Sequence, residues 1–364
     1  MITGSLSSAA EFMHGALHGE DVTFCGVSTD TRSLMPGQLF VALHGPNFDG
    51  NAFVTQAAAS KAAGAVVDRP IDTDLPLIVV DDTKKALGQL AAGWRQQMAA
   101  TVIGITGSNG KTTLKELLAS CLAISAETLA TQGNLNNEIG MPLMLLRMSR
   151  NHRYAVIEMG ANHHGEIGYL RSLASPSIVA ITNAAPAHLE GFGSVEGVAK
   201  AKGEILTGEP PPDCAILNAD DDYFEYWKSI CSASRIISFG LSAEADFRAS
   251  QIESSTEASN FMLHTPDRQF DVHLSLAGRH NVLNACAAAA IASAVGMGPG
   301  QIRQGLEAVL PVGGRLQHVT SASGAVLYDD SYNANPVSVQ AAAEFLAAQD
   351  GNSWLVLGDM AELG

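Results

Sequence analysis

The stretch Thr101-Val-Ile-Gly-Ile-Thr-Gly-Ser-Asn-Gly-Lys-Thr-Thr113 constrains the fold more than any other part of the chain. An apolar run breaks into a turn punctuated by Gly104, Gly107 and Gly110, and residues 114–122 continue at helical spacing. Strand, glycine-rich turn, Lys-Thr and helix in that order are the parts of a phosphate-binding loop. In such a loop the backbone N–H groups face inward at a helix N-terminus, where an anion is favoured. Gly107, Ser108, Asn109 and Gly110 form the turn, Lys111 offers a fixed positive charge, and Thr112 and Thr113 open the helix. The Thr112 hydroxyl is of the kind that reaches a magnesium ion. One position departs from the usual spacing Gly-x-x-x-x-Gly-Lys, because Ile105 stands where the first glycine belongs.

A loop of this kind sits at the carboxyl end of a strand in an open parallel sheet, and ligands collect outside such strand ends. Two further apolar runs lead to metal-capable side chains. Tyr154-Ala-Val-Ile-Glu-Met-Gly160 ends near Glu158, and Ser177-Ile-Val-Ala-Ile-Thr182 runs on towards His188. A carboxylate and an imidazole delivered to two strand ends form a candidate metal pair. Lys200 and Lys202 fall on an expected helix, and composition alone does not select Lys202.

With 364 residues the chain exceeds one ordinary core, so two or three domains are expected. Its 21 basic against 37 acidic residues give a net charge of −16. That balance argues against a general nucleic-acid surface and against attraction to an anionic membrane. No apolar run approaches a membrane span and no charged n-region precedes an apolar core, so neither membrane insertion nor a secretory signal is expected. The five cysteines are scattered, without a Cys-x-x-Cys pair, as in reduced cytoplasmic proteins.

Residues 1–82 read as a small α/β domain with an alanine-rich helix over residues 52–63 and strands over 65–67 and 77–80. In it Ser28, Thr29, Asp30 and Arg32 form a polar cluster that either contacts a base or sugar or simply makes a turn. Residues 83–98 read as a helix leading into a central domain that runs to residue 312. Asn134, Asn136 and Asn137 crowd a stretch too polar for a core strand and suit either a polar ligand or a turn. Residues 246–276 alternate as an antiparallel appendage, and Gly278 opens an alanine-rich helix. Pro311-Val-Gly-Gly-Arg-Leu316 reads as a linker, after which strands over 325–330 and 354–357 and a helix between them start a further β-α-β unit over residues 313–364.

Together these motifs resemble the Mur ligases, the ATP-dependent amide-forming enzymes of cell-wall precursor synthesis. The resemblance runs through Gly104 to Thr113, Gly133-Asn-Leu-Asn-Asn-Glu-Ile-Gly140, Glu158-Met-Gly160, His188-Leu-Glu-Gly-Phe-Gly193 and Asp330-Ser-Tyr-Asn-Ala-Asn-Pro336. It is strongest to the branch that joins D-alanyl-D-alanine to UDP-N-acetylmuramoyl-tripeptide, since Asn333-Ala-Asn335 stands where the ligase that adds the third amino acid and folylpolyglutamate synthase typically carry Ala-His. The resemblance implies an α/β fold with three-domain Mur ligase architecture: a UDP-substrate domain, a P-loop central parallel sheet, and a C-terminal Rossmann-like domain. Family members continue past the final Gly358-Asp-Met-Ala-Glu-Leu-Gly364, so an incomplete third domain is expected.

By resemblance the cofactors are ATP and Mg2+. Lys111, Glu158, His188, Lys202 and Arg315 are the implied catalytic residues, and Thr112, Glu158, His188 and a carbamylated Lys202 the implied metal ligands. His280 and Asn281 lie near adenine, and Arg315 and Asp330 reach the nucleotide from the closing domain. Ser28, Thr29, Asp30 and Arg32 face the uridine region. Asn134, Asn137, Tyr332, Asn333 and Asn335 face the rest of the substrate. The partners are the two substrates, with no nucleic acid, and a cytoplasmic monomer is expected. A binding module without catalysis, and another ligase of the same superfamily, remain as alternatives.

Overall fold

The computed structural model describes residues 1–187, 189–311, 313–321, 326–347, 349 and 351–360. The chain divides into two compact units, and each is described by itself.

The first unit comprises residues 1–100, 131–155 and 172–174. Its five-stranded sheet runs in the order Ala16–His18, Leu77–Val79, Gly64–Val67, Leu39–Val41, Val27–Ser28, antiparallel at the first pairing and parallel at the rest. Gly64–Val67 and Leu39–Val41 are buried at every position, as central parallel strands must be when both faces are covered. Phe40, Val54, Ala57 and Val67 fill the space beneath. The expected helix over 52–63 is shorter: a 3-10 turn, Gly50–Phe53, leads into Val54–Ala59. Lys61 then takes a left-handed φ of 61°, which helical backbone does not accommodate, and the chain turns into Gly64–Val67. Helix Thr83–Gln96 starts where expected because the Asp82 carboxylate accepts the amides of Lys84 and Lys85.

The second unit comprises residues 101–130, 156–171 and 175–364. Its sheet has nine strands: β1 (Thr101–Thr106), β2 (Thr128–Ala130), β3 (Tyr154–Glu158), β4 (Ile178–Ile181), β5 (Cys214–Asn218), β6 (Arg235–Gly240), β7 (Phe247–Ser254), β8 (Ser259–His264) and β9 (Gln269–Leu274). Their spatial order is β2-β3-β1-β4-β5-β6-β7-β8-β9. Pairing is parallel from β1 through β4, β5 and β6 to β7, then antiparallel. The residues expected as a separate antiparallel appendage therefore extend the central sheet, because Phe247 and Arg248 continue the parallel ladder of β6.

Helix α1 (Lys111–Ala123) follows the glycine turn, α2 (Val195–Gly203) follows β4, and α3 (Arg279–Ala294) begins at Gly278. Every residue from 284 to 292 on α3 is buried, and the small alanines let it lie close to its neighbours. After the linker, β10 (Gln317–Thr320) and β11 (Val326–Asp329) pair antiparallel, and α4 (Pro336–Ala347) follows. Residues 354–357, expected as a strand, pair with no strand among the described residues, and Trp354 is 85% exposed. An extended segment without a neighbour has no ladder to join.

Candidate functional site

Strand β1 delivers the chain to a turn that only glycine tolerates at two points. Gly107 has φ 145°, and a Cβ there would lie 1.9 Å from the Thr182 hydroxyl oxygen. Gly110, the residue before α1, has φ 81°, and its Cβ would meet the Asn284 amide oxygen at 2.6 Å. The turn is thus pressed against the exit of β4 and the flank of α3, the approach for which an absent side chain is required.

That exit laces the turn in place. The Asn109 amide donates to the Asn183 side-chain oxygen (3.0 Å), and the Thr182 hydroxyl donates to the Asn109 carbonyl (2.6 Å). The Ser108 amide donates to the Asn183 carbonyl, and the Ser108 hydroxyl meets both the carbonyl and the amide of Ala185. Thr182, Asn183 and Asn284 were not singled out from sequence. The one signal that could have found them is topological, since residues 182–185 leave the strand adjacent to β1.

Lys111 turns back over the loop and donates to the carbonyls of Gly107 (2.7 Å) and Ser108 (3.2 Å). Burial holds its amine below the usual lysine range; Glu158 opposes that shift and Arg315 adds to it. The Thr112 hydroxyl donates to Glu158 Oε2 at 3.0 Å and accepts from Arg315 Nη2 at 2.9 Å. Glu158 is 3% exposed at the end of β3. Glycine turn, carboxylate and linker arginine therefore meet at one hydroxyl.

Lys202 lies on α2, whose first turn is capped by the Ser194 hydroxyl, and is 2% exposed. Burial first, and then the charge of Lys111, lower its amine to about 7. Its Nζ stands 5.3 Å from the centre of the Phe192 ring. His188, expected at the metal with Lys202, lies outside the described residues.

A cleft beside the turn is lined by Asn109, Gly110, His280, Asn281, Arg315 and Asp330, among others. The Asn281 amide nitrogen is fixed by the Ala277 carbonyl at 2.8 Å, and burial lowers the pKa of His280, favouring the neutral imidazole. Asp330 accepts the Leu316 amide, and its carboxyl is raised by burial while that bond and Arg315 pull it down. From the next turn Asn335, the N-terminal cap of α4, donates to the Asn109 side-chain oxygen at 2.6 Å. Asn333 accepts only the neighbouring Ala334 amide, and Tyr332 lies beneath Arg315. Two buried N–H donors, Asn109 Nδ2 and Arg315 Nε, have no partner among the described residues. Donors without acceptors beside the uncapped start of α1 suit an anionic ligand.

The donor set also fits a magnesium ion, since a hydroxyl and a carboxylate are hard oxygen donors that leave positions for water and phosphate oxygens. Among the described residues no cluster of three or more His, Cys, Asp or Glu side chains converges on a metal position.

The remaining predicted residues belong to the first unit. Asp30 holds Arg32 through both carboxylate oxygens, and Ser28 bonds the backbone of Asp30, so the cluster is a self-contained turn with Arg32 86% exposed; Thr29 stands within it. Asn137 lies in the turn before the helix Gly140–Leu145 and accepts the amides of Ile139 and Gly140, and Asn134 is exposed.

A family model described as the Mur ligase middle domain matches residues 105–292, and one described as the Mur ligase glutamate ligase domain matches residues 314–364. The UDP-N-acetylmuramoyl-tripeptide--D-alanyl-D-alanine ligase of Escherichia coli strain K12 is 48% identical over 365 aligned residues, covering 100% of this chain and 81% of that protein. The chain is a Mur ligase. Among solved structures, MurF from Acinetobacter baumannii superposes with a TM-score of 0.95 at 40% identity, covering 100% of this chain and 81% of that one. The Thermotoga maritima MurF ligase in complex with ADP gives a TM-score of 0.82 at 28% identity, covering 93% and 78% of the two chains. In this Mur ligase, no helix among the described residues is long and apolar enough to cross a membrane.

Proposed function

We propose that this Mur ligase joins D-alanyl-D-alanine to UDP-N-acetylmuramoyl-tripeptide with ATP as co-substrate and magnesium as the metal. The observation that carries the reading is the similarity, along the whole chain, to the E. coli ligase of that name. The site supplies matching chemistry. A carboxylate is a poor acylating agent, so the γ-phosphoryl group is first transferred to it, breaking the phosphoanhydride and leaving ADP. The amine of the dipeptide then attacks the acyl phosphate, forming the amide C–N bond as inorganic phosphate departs with the acyl C–O electrons.

In this reading Lys111 and Arg315 bring positive charge to the phosphates, and the first-turn amides of α1, which a helix start leaves without a backbone acceptor, cradle them. Thr112 and Glu158 would hold one magnesium ion and His188 a second, and the metal would supply positive charge to the transferring phosphoryl group. Lys202 is buried and has an amine pKa of about 7, so part of its population is neutral near neutral pH and able to add carbon dioxide, losing a proton to become a carbamate. His280 and Asn281 flank adenine, with Asp330 at the nucleotide. Residues 1–82 hold the UDP end through Ser28, Thr29, Asp30 and Arg32, residues 83–312 hold ATP, and residues 313–364 belong to the closing domain. Asn134, Asn137, Asn333 and Asn335 face the peptide substrates, and the work is done in the cytoplasm.

Phosphate release is expected to require ATP, the tripeptide precursor and the dipeptide together; release indifferent to either peptide substrate overturns the reading. A second reading, binding without turnover, is favoured by the exposure of Trp354 (85%) and Val356 (90%) in the closing segment. ADP binding in a calorimeter, with no phosphate release in the full mixture, selects it.

A further inference from the structure

A guanidinium on a linker serves as a fixed charge only if something holds it still, because a free arginine side chain spreads over many rotamers. The linker around Arg315 is itself locked. Gly314 and Leu316 both lie in the left-handed region, with φ of 70° and 47°. Two hydrogen bonds tie them to the segment after β11. The Leu316 amide donates to Asp330 (3.1 Å), and the Tyr332 amide donates to the Gly314 carbonyl (3.1 Å).

The second of these bonds brings the Tyr332 ring against the arginine, whose guanidinium carbon stands 4.3 Å from the ring centre. The ring is 46% exposed, so burial alone does not account for its place. At its other end Arg315 reaches the Thr112 hydroxyl at 2.9 Å, and its Nε is buried without a partner among the described residues. One face of the guanidinium is therefore spent on an aromatic ring, while its edge is directed to the phosphate loop.

We propose that Tyr332 is a positioning residue: its ring face holds the Arg315 guanidinium at the phosphate loop, so it acts on nucleotide binding through Arg315. The inference rests on the reading of that loop as the nucleotide site. A cation over a half-exposed aromatic ring is worth roughly a 3- to 10-fold change in affinity. Phenylalanine keeps the ring face and leucine does not, which separates the ring from the hydroxyl and from bulk.

The test is calorimetric titration of the 364-residue chain with ADP and, separately, with UDP-N-acetylmuramoyl-tripeptide. Tyr332→Leu is expected to weaken ADP about 3- to 10-fold and Tyr332→Phe less than about twofold. Arg315→Ala and the double variant Arg315→Ala/Tyr332→Leu are expected to bind ADP alike, because the ring has no further role once the guanidinium is gone. Tripeptide affinity should be unchanged in Tyr332→Leu. The proposal is overturned if Tyr332→Leu binds ADP like the original chain, if Tyr332→Phe loses as much as Tyr332→Leu, or if the two losses add. It is also overturned if Tyr332→Leu loses tripeptide affinity while keeping ADP, which would make Tyr332 a direct substrate contact. An unaltered chain that binds no ADP refutes the nucleotide reading itself, a result distinct from all of these.

Discussion

Among single residues, the two buried amines carry the sharpest consequences. Lys111 is compensated in part by carbonyls of its own loop, whereas Lys202 lies over an aromatic ring, with the charge of Lys111 acting against its proton and those of Glu166 and Glu204 for it. For Lys202 the amine falls from 10.5 to about 7 on folding, with burial the leading cause. Between those values the unfolded chain binds a proton that the folded chain has released, so stability rises with pH across that window. The rise is at most about 1.4 kcal/mol per pH unit for one group. In buffer free of carbon dioxide, urea unfolding at about pH 7.5 and about pH 9.5 is expected to show this gain, and Lys202→Met to reduce the slope by one proton's worth. Equal slopes for the two proteins would show that the amine keeps its ordinary affinity for protons.

At the scale of elements, the phosphate loop is a strand end and a helix start pressed against two neighbours. Gly107→Ala places a methyl 1.9 Å from the Thr182 hydroxyl oxygen at a φ of 145°, and is expected to cost about 1–3 kcal/mol in denaturant unfolding and to abolish measurable ADP binding. Asn183→Ala, which strips a side-chain acceptor from the Asn109 amide, is expected to cost about 1–3 kcal/mol by the same measurement. The loop itself was legible in the sequence because strand, turn, Lys-Thr and helix are contiguous there. Glu158 was legible because an apolar run announces its own carboxyl end. Asn183 and Asn284 were not, since their importance arises only when β4 and α3 lie beside the turn, and nothing local marks them. The Ser28-to-Arg32 cluster and the Asn134-to-Asn137 cluster of the first unit each read as ligand contacts or turns. Their hydrogen bonds are local: Asp30 to Arg32, and Asn137 to Ile139 and Gly140. The antiparallel pairing of β7, β8 and β9 was legible in their alternation, whereas the parallel attachment of β7 to β6 was not, since alternation specifies a strand but not its first neighbour.

For the molecule as a whole, one ligand should mark out which of its parts share the proposed nucleotide site. Hydrogen exchange with and without ADP is expected to slow the amides of residues 107–113 and of the segment around Arg315 and Asn335, and to leave Leu39–Val41 and Gly64–Val67 unchanged. Protection confined to the first unit would contradict the placement of nucleotide at the phosphate loop. Within the second unit Asn335 occupies an unusual position: its side-chain oxygen starts α4 by accepting the Ser338 amide, while its nitrogen donates to Asn109 in the loop. A single amide group is thus shared between a helix's first turn and a ligand cradle more than two hundred residues earlier in the chain, 226 by count. Losing the bond to Asn109 leaves the Ser338 amide still accepted by Asn335, so the two segments are tied by one hydrogen bond worth about 0.5–1.5 kcal/mol.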